Sequence, residues 1–161
     1  MNIKETITAA EPASKERLRL WLRLLRINRR MEAELRERLR INFNTTLPRF
    51  DVMSALHRNP KGLRMSELSS MLMVSNGNVT GIVERLAEDG FLTRQTVPGD
   101  RRAAQVKLTR KGLAEFTRQA AAHEVWVNEL LGGLDRSEAT EVSELLRSAI
   151  EEDHNRENHA D

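Results

Sequence analysis

Residues 75–109 read SNGNVTGIVERLAEDGFLTRQTVPGDRRAAQVKLT, and the period of the apolar residues changes inside them. Val79, Ile82, Val83 and Leu86 recur at three and four, the spacing of one helix face, and Gly90 follows as a stop. Beyond it, FLTRQ (91–95) and AAQVKL (103–108) alternate and predict two strands, the second with Ala104, Val106 and Leu108 on one side. Val97, Pro98 and Gly99 make the turn between them, and Asp100, Arg101 and Arg102 follow at once. A helix leading into a hairpin with a charged tip is the unit from which the rest of the chain is read.

Upstream, NTTLPRFDVMSALHRNPKG (44–62) predicts a helix with Pro48 tolerated in its first turn and Phe50, Met53 and Leu56 inward, ended by Asn59, Pro60 and Gly62. RMSELSSMLMV (64–74) then places Met65, Leu68 and Leu72 on one side of a third element, and Ser75 is an apt N-cap for the helix after it. Three short helices followed by a two-stranded hairpin is the order of a winged helix-turn-helix. In that architecture one helix enters the DNA major groove and the hairpin tip reaches the flanking minor groove. The outward face of the last helix keeps Gly77, Asn78, Gly81, Glu84 and Arg85. Two glycines four apart cost about 1 kcal/mol each relative to alanine, so an exposed face that keeps both points to a close approach by something else. Either DNA backbone and bases come near, with Asn76 and Asn78 able to bond adenine edges or phosphates, or a neighbouring helix does. Arg101 and Arg102 suit phosphates and a narrow minor groove, and Asp100 can hold one guanidinium in a fixed fork.

Longer helices flank this lobe. Ser14 can cap a helix running to about Arg40 whose apolar residues form two stripes: Leu18, Trp21, Leu22 and Leu25, and Leu20, Leu24, Ile27, Met31 and Leu35. One covered face needs one stripe, so the second suggests contact with another subunit, although a helix central to its own subunit reads similarly. Thr109 caps another helix to about Leu131, with Leu113, Phe116, Ala120, Val127 and Leu130 inward and Gly132 and Gly133 after it. Asp135 and Glu138 have capping-box spacing for a last helix carrying Ala139, Val142, Leu145, Leu146 and Ala149. The fold class is thus mostly α with a small β-hairpin. It divides into an N-terminal arm and helix over 1–46, a winged lobe over 47–109, and C-terminal helices with an acidic tail over 110–161.

Composition limits the function classes. The 161 residues include 39% hydrophobic and 31% charged residues, which predicts a soluble globular protein. No cysteine is present, which removes disulfides, thiolate zinc sites and thiol redox sensing. The N-terminus lacks the apolar run of a signal peptide and no stretch approaches a membrane span, so a cytoplasmic location is expected. The net charge of +2 hides an asymmetry, because the last eleven residues hold five acids and one arginine, leaving the rest at +6. That makes nucleic acid a candidate partner. No Gly-rich phosphate loop, GxSxG elbow or His-carboxylate metal motif appears, which favours binding over catalysis. His57, His123, His154 and His159 are too widely spaced for a zinc motif, and neither a metal nor a resident cofactor is expected.

From about Leu18 to Ile150 the chain resembles the MarR family of transcriptional regulators. LSSMLMVSNGNVTGIVERLAEDGFLTR (68–94) is similar to that family's recognition helix and first wing strand. DRRAAQVKLTRKG (100–112) is similar to its wing signature of Asp, any residue, Arg, then Leu-Thr before a Gly. The resemblance implies that Asp100 and Arg102 are the wing pair and that Ser75, Asn76, Asn78, Thr80 and Arg85 fall on the recognition helix. Arg64 stands where the family often has a capping Thr or Ser, and Gly81 where a basic residue is common. The first and last two helices would form an intertwined homodimer, with double-stranded DNA carrying a pseudo-palindromic operator as partner and repression as the outcome. Winged-helix modules that bind protein instead are the alternative.

The resemblance further implies a small-molecule effector in a cleft beside the dimerisation helices. Trp21, Leu25, Phe43, Phe50 and Met53 would line it, with Met65 and Met71 as further candidates. Regulators of aromatic-acid catabolism are the nearest in pattern, so an aromatic acid or its coenzyme A thioester is the expected effector, with Arg17, Arg19, Arg23 and Arg26 meeting the thioester's phosphates.

Overall fold

The computed structural model describes residues 13–72, 76–97 and 100–157, with side chains described over 13–72, 78–96 and 105–149. Contacts divide the chain into two compact units, Met1–His123 and Glu124–Asp161.

In the first unit, helix α1 (Ser14–Phe43) starts one residue before expectation allows Ser14 to act as a cap. Ala13 holds the N-cap position, and no side chain caps the end. The helix runs past Arg40 and stops at Asn44, whose left-handed φ of 49° lets its N–H and that of Thr45 bond the last carbonyls. Leu35 and Leu39 are buried near its end, whereas Leu18, Leu20, Trp21, Leu22 and Ile27 stand about half exposed.

Helix α2 (Leu47–Arg58) starts at Thr46, whose hydroxyl accepts the Arg49 N–H, with Pro48 in the first turn where its missing N–H costs nothing. It sits centrally: Phe50, Val52, Met53, Ala55 and Leu56 are all buried, so its apolar face is wider than a surface stripe. Helix α3 (Met65–Leu72) lacks a capping Ser or Thr, because Arg64 occupies that place. Glu67 reaches back to accept the Arg64 N–H at 2.7 Å, which is the carboxylate half of a capping box. Helix α4 (Asn76–Glu88) buries Val79, Val83 and Leu86 on one stripe. Gly90 ends it with φ +78°, a conformation that disfavours any residue with a Cβ. The proposed Ser75 cap lies outside the described residues.

The hairpin gains a strand that the sequence reading lacked. Strands β2 (Leu92–Val97) and β3 (Asp100–Leu108) pair antiparallel, and a two-residue β1 (Leu63–Arg64) joins the other edge of β3 in the order β1-β3-β2. Two residues are too few for alternation to register, and pairing with Val106 and Gln105 is a long-range event. Val106, paired on both sides, is fully buried.

Helix α5 (Arg110–Leu130) is pinned at its start. The Thr109 hydroxyl accepts the Gly112 N–H at 3.0 Å and donates to the Gly90 carbonyl at 2.7 Å, while the Thr109 N–H donates to the Phe91 carbonyl at 3.0 Å. This join sets the helix rotation so that Gly112, Phe116 and Gln119 face inward. Leu113, expected inside, is turned out and 46% exposed.

Phe116 lies between Phe50 and His57, and the His123 ring stacks on Phe50 with centroids 4.6 Å apart. Burial holds His123 below its ordinary 6.5. The unfolded chain therefore takes up a proton that the folded chain resists, and stability drops as pH falls below about 6.5. His123→Phe keeps a ring on the stack without the titration. Its urea midpoint is expected to change less between about pH 7 and pH 5 than that of the natural chain; an equal or larger loss would show that His123 is not responsible.

In the second unit, the end of α5 is followed by a turn closed by the Leu134 N–H on the Leu131 carbonyl. Helix α6 (Arg136–Glu157) follows, with the Asp135 N–H donating to Glu138 at 2.8 Å and the Glu138 N–H to Asp135 at 2.9 Å, the expected reciprocal cap. Val142 and Leu145 are exposed. Among the described residues no helix is long and apolar enough to cross a membrane, and no group of His, Cys, Asp or Glu is arranged to hold a metal.

Candidate nucleic-acid interface

One stripe of α4 is spent on the core, which leaves Asn78, Gly81, Glu84 and Arg85 exposed and Thr80 partly covered. A Cβ added to Gly81 would meet nothing within 4 Å. Among the described residues, then, no neighbouring helix explains this glycine. Removing it should help the fold and hurt the face. Gly81→Ala is expected to raise stability by up to about 1 kcal/mol in a thermal melt while weakening DNA binding severalfold in a fluorescence titration; tighter or unchanged DNA binding would count against a close approach here. For Asn76 and Gly77 the backbone lies in the first turn of α4.

The wing is tied to this helix. Glu84 on α4 pairs with Arg94 on β2 at 3.8 Å, bridging the recognition face and the first wing strand. Neither residue was singled out as a pair beforehand, since sequence spacing carries no sign of a contact between a helix and a strand. Along the hairpin the register runs from Leu92↔Leu108 to Thr96↔Ala104 and then jumps to Val97↔Asp100. Arg101 and Arg102 fall in the part of β3 that the jump skips, next to the turn, with Asp100 opposite Val97. The side chains of Asp100, Arg101 and Arg102 lie outside the described residues.

The expected effector residues do not converge. Phe43 and Met53 line one pocket, together with Arg49, Asp89, Lys111 and Gln119 among others. Phe50 is instead spent on the aromatic core against Phe116 and His123. Trp21 and Leu25 do not line the pocket: Trp21 stands about 33 Å up α1 from Phe43 at 1.5 Å per residue. Arg17, Arg19, Arg23 and Arg26 share that exposed N-terminal stretch, where Arg19 pairs with Glu16. Met71 is exposed on α3 and Met65 partly buried, and neither lines the pocket. Periodicity placed these residues on helices correctly but could not say which stretches of a 30-residue helix lie near the lobe.

An exposed, glycine-thinned helix packed on two others and followed by a bulged, basic-tipped hairpin defines a winged helix-turn-helix protein. The MarR family model matches residues 45–104, the span from α2 to the middle of β3. A solved MarR family transcriptional regulator from Silicibacter pomeroyi is 34% identical, covers 89% of this chain and 99% of its own, and superposes with a TM-score of 0.74. The regulator PecS of Dickeya dadantii is 30% identical over 99 residues, which span 60% of this chain and 60% of PecS. A variant of MarR from E. coli, complexed with operator DNA, shares the fold at TM-score 0.72 and 24% identity, covering 87% of this chain and 99% of its own. The chain belongs to the MarR family. It is a member of a family of DNA-binding transcriptional regulators and not an enzyme.

Proposed function

We propose that two copies of this chain bind one pseudo-palindromic operator in the cytoplasm and repress transcription, each copy laying α4 in a major groove and its wing tip against the adjacent minor groove. The observation that carries this reading is the open face at Gly81, where the helix backbone is bare and nothing among the described residues fills the space. Asn76, Gly77, Asn78, Thr80, Gly81 and Arg85, with Ser75 before them, are the proposed contacts to bases and phosphates, and Asp100, Arg101 and Arg102 those of the wing. The exposed apolar stripe at the start of α1 supports dimerisation, and two half-sites about one helical turn apart follow from it.

Selection of bound fragments from genomic DNA tests the reading, and two variants refine it. Arg102→Ala should weaken binding to the selected fragment about tenfold while leaving the melting curve unchanged, whereas Asn78→Ala should chiefly relax sequence preference. Unchanged binding in both would remove the site assignment. A winged-helix module that binds protein would select no fragment at all.

Release by a small effector, an aromatic acid or its coenzyme A thioester, is the further part of this reading. The cationic N-terminal stretch of α1, with Arg17, Arg19, Arg23 and Arg26, is the proposed surface for the thioester's phosphates. Calorimetry with p-coumaroyl-CoA and feruloyl-CoA tests it; absence of heat together with undiminished operator binding would eliminate the thioester.

A further inference from the structure

The two parts of α1 differ in charge. Over 15–30 the helix carries seven cations and one carboxylate, Glu16, whereas over 31–40 four arginines stand among three glutamates. The later arginines are matched: Arg38 lies 3.8 Å from Glu34 and Arg40 2.6 Å from Glu37. In the earlier part Arg19 pairs with Glu16, and among the described residues no carboxylate pairs with Lys15, Arg23, Arg26 or Arg30. Lys15, Arg19, Arg23, Arg26 and Arg30 follow one another at three or four residues. That spacing stacks them in one column on one face, about 22 Å long at 1.5 Å per residue. All five are exposed. Like charges at these spacings weaken a helix, so the column is kept at a cost to α1 itself. A face that only needed solvation could be paired as 31–40 is.

The buried residues of α1 are Leu35 and Leu39, so the column stands clear of the helices that hold α4. Its middle, Arg23, is about 30 Å up the helix from Phe43. A coenzyme thioester clusters its phosphates at one end, and Lys15 and Arg30 lie outside the arginines assigned to it above. Meeting all five cations takes an extended polyanion. A lipid surface would need a continuous apolar face beside the cations. Here the column runs between the two apolar stripes, and Arg17 separates them again on the opposite side. Duplex DNA carries a phosphate about every 3.4 Å of axis on each strand, about six over the length of the column, and continuous basic helices are a known way of lying against it.

We propose that the column is a second, sequence-independent site for duplex DNA, so that a chain seated on one stretch through α4 and its wing holds another stretch through α1. The column's own binding stands apart from the operator reading; the joining of two stretches rests on it.

The first arm of the test uses the full chain carrying Asn78→Ala, Arg85→Ala and Arg102→Ala, which removes proposed contacts of α4 and the wing, on a base-shuffled duplex. This chain should still bind at about 50 mM salt, and with five phosphates met its affinity should fall about five-hundredfold by about 200 mM. Adding Lys15→Glu and Arg30→Glu takes the column from five positive charges to one and should abolish the binding, while Lys15→Arg with Arg30→Lys should keep it. Both positions are exposed, and a melting curve checks the fold; should the reversal disturb it, the salt slope decides. In the second arm, the natural chain held on an immobilised, short genome-selected fragment should capture a labelled shuffled duplex. The chain with Lys15→Glu and Arg30→Glu should hold the fragment equally well and capture nothing. No binding in the first arm, or binding indifferent to charge reversal, overturns the site, as does retention by phosphatidylglycerol vesicles with no duplex bound. No capture in the second arm overturns the joining of two stretches. Failure to select any fragment would count against the operator reading alone, since the first arm needs none.

Discussion

Gly112→Ala is expected to lower the melting temperature by about 10 to 15 °C or to leave the chain insoluble. A Cβ at this position would stand 2.0 Å from the carbonyl oxygen of Phe91, 2.8 Å from its carbonyl carbon and 3.0 Å from its Cα. All three are backbone atoms, so no side chain can swing aside. The start of α5 would have to part from the Gly90–Phe91 turn, and the Thr109 bonds to both carbonyls would go with it. Overpacking of this kind costs about 1 to 3 kcal/mol and occasionally more, and two lost hydrogen bonds add about 1 to 3. Gly81→Ala is the internal control, since the same methyl there meets open space. A Gly112→Ala protein that melts like the natural chain would mean that the join between the recognition helix and α5 is not as tight as described.

Leu18→Glu combined with Leu22→Glu is expected to convert the proposed dimer into monomers at micromolar concentration. Both leucines stand more than half exposed in the single chain, at 57% and 53%, beside Trp21 at 57%. Apolar side chains at helical spacing and open to water are the surface a partner would cover. Because each chain contributes two leucines, and each is already partly covered in the isolated chain, about 3 to 6 kcal/mol of association energy is at stake, or roughly two to four decades in the dissociation constant. The monomer's own fold should be nearly unaffected, since the substitutions fall on exposed positions. Sedimentation velocity separates the outcomes. Survival of the dimer in the double variant would mean that the subunits meet elsewhere.

The lobe was legible because its signals are local. Val79, Val83 and Leu86 announce the inward stripe of α4 by period, Gly90 its end, and Thr109 and the Asp135–Glu138 pair act as caps in the positions their spacing predicts. The larger failures share one cause, which is that they depend on residues distant in sequence. β1 forms through pairing with residues some forty positions later. Leu113 turns outward because Gly112 must face Phe91, a constraint invisible in the α5 pattern alone. Ser14 and Ala13 show a smaller error: a good capping residue placed one position inside the helix does not cap it. At the candidate site, the outward residues of α4 were readable from the inward ones, whereas the Glu84–Arg94 and Arg49–Asp89 pairs and the pocket around Gln119 arise only when distant elements meet. The packing of Phe50 against Phe116 and His123 likewise joins residues distant in sequence.

The central claim is that this chain grips DNA through phosphates and reads it through α4. A salt titration of the purified chain on its genome-selected fragment tests that claim most directly, with a base-shuffled fragment alongside. With about six phosphate contacts, affinity should fall about a thousandfold between about 50 and 200 mM salt, and the selected fragment should keep its advantage throughout. Affinity that stays flat with salt, or two fragments that bind alike, would contradict it.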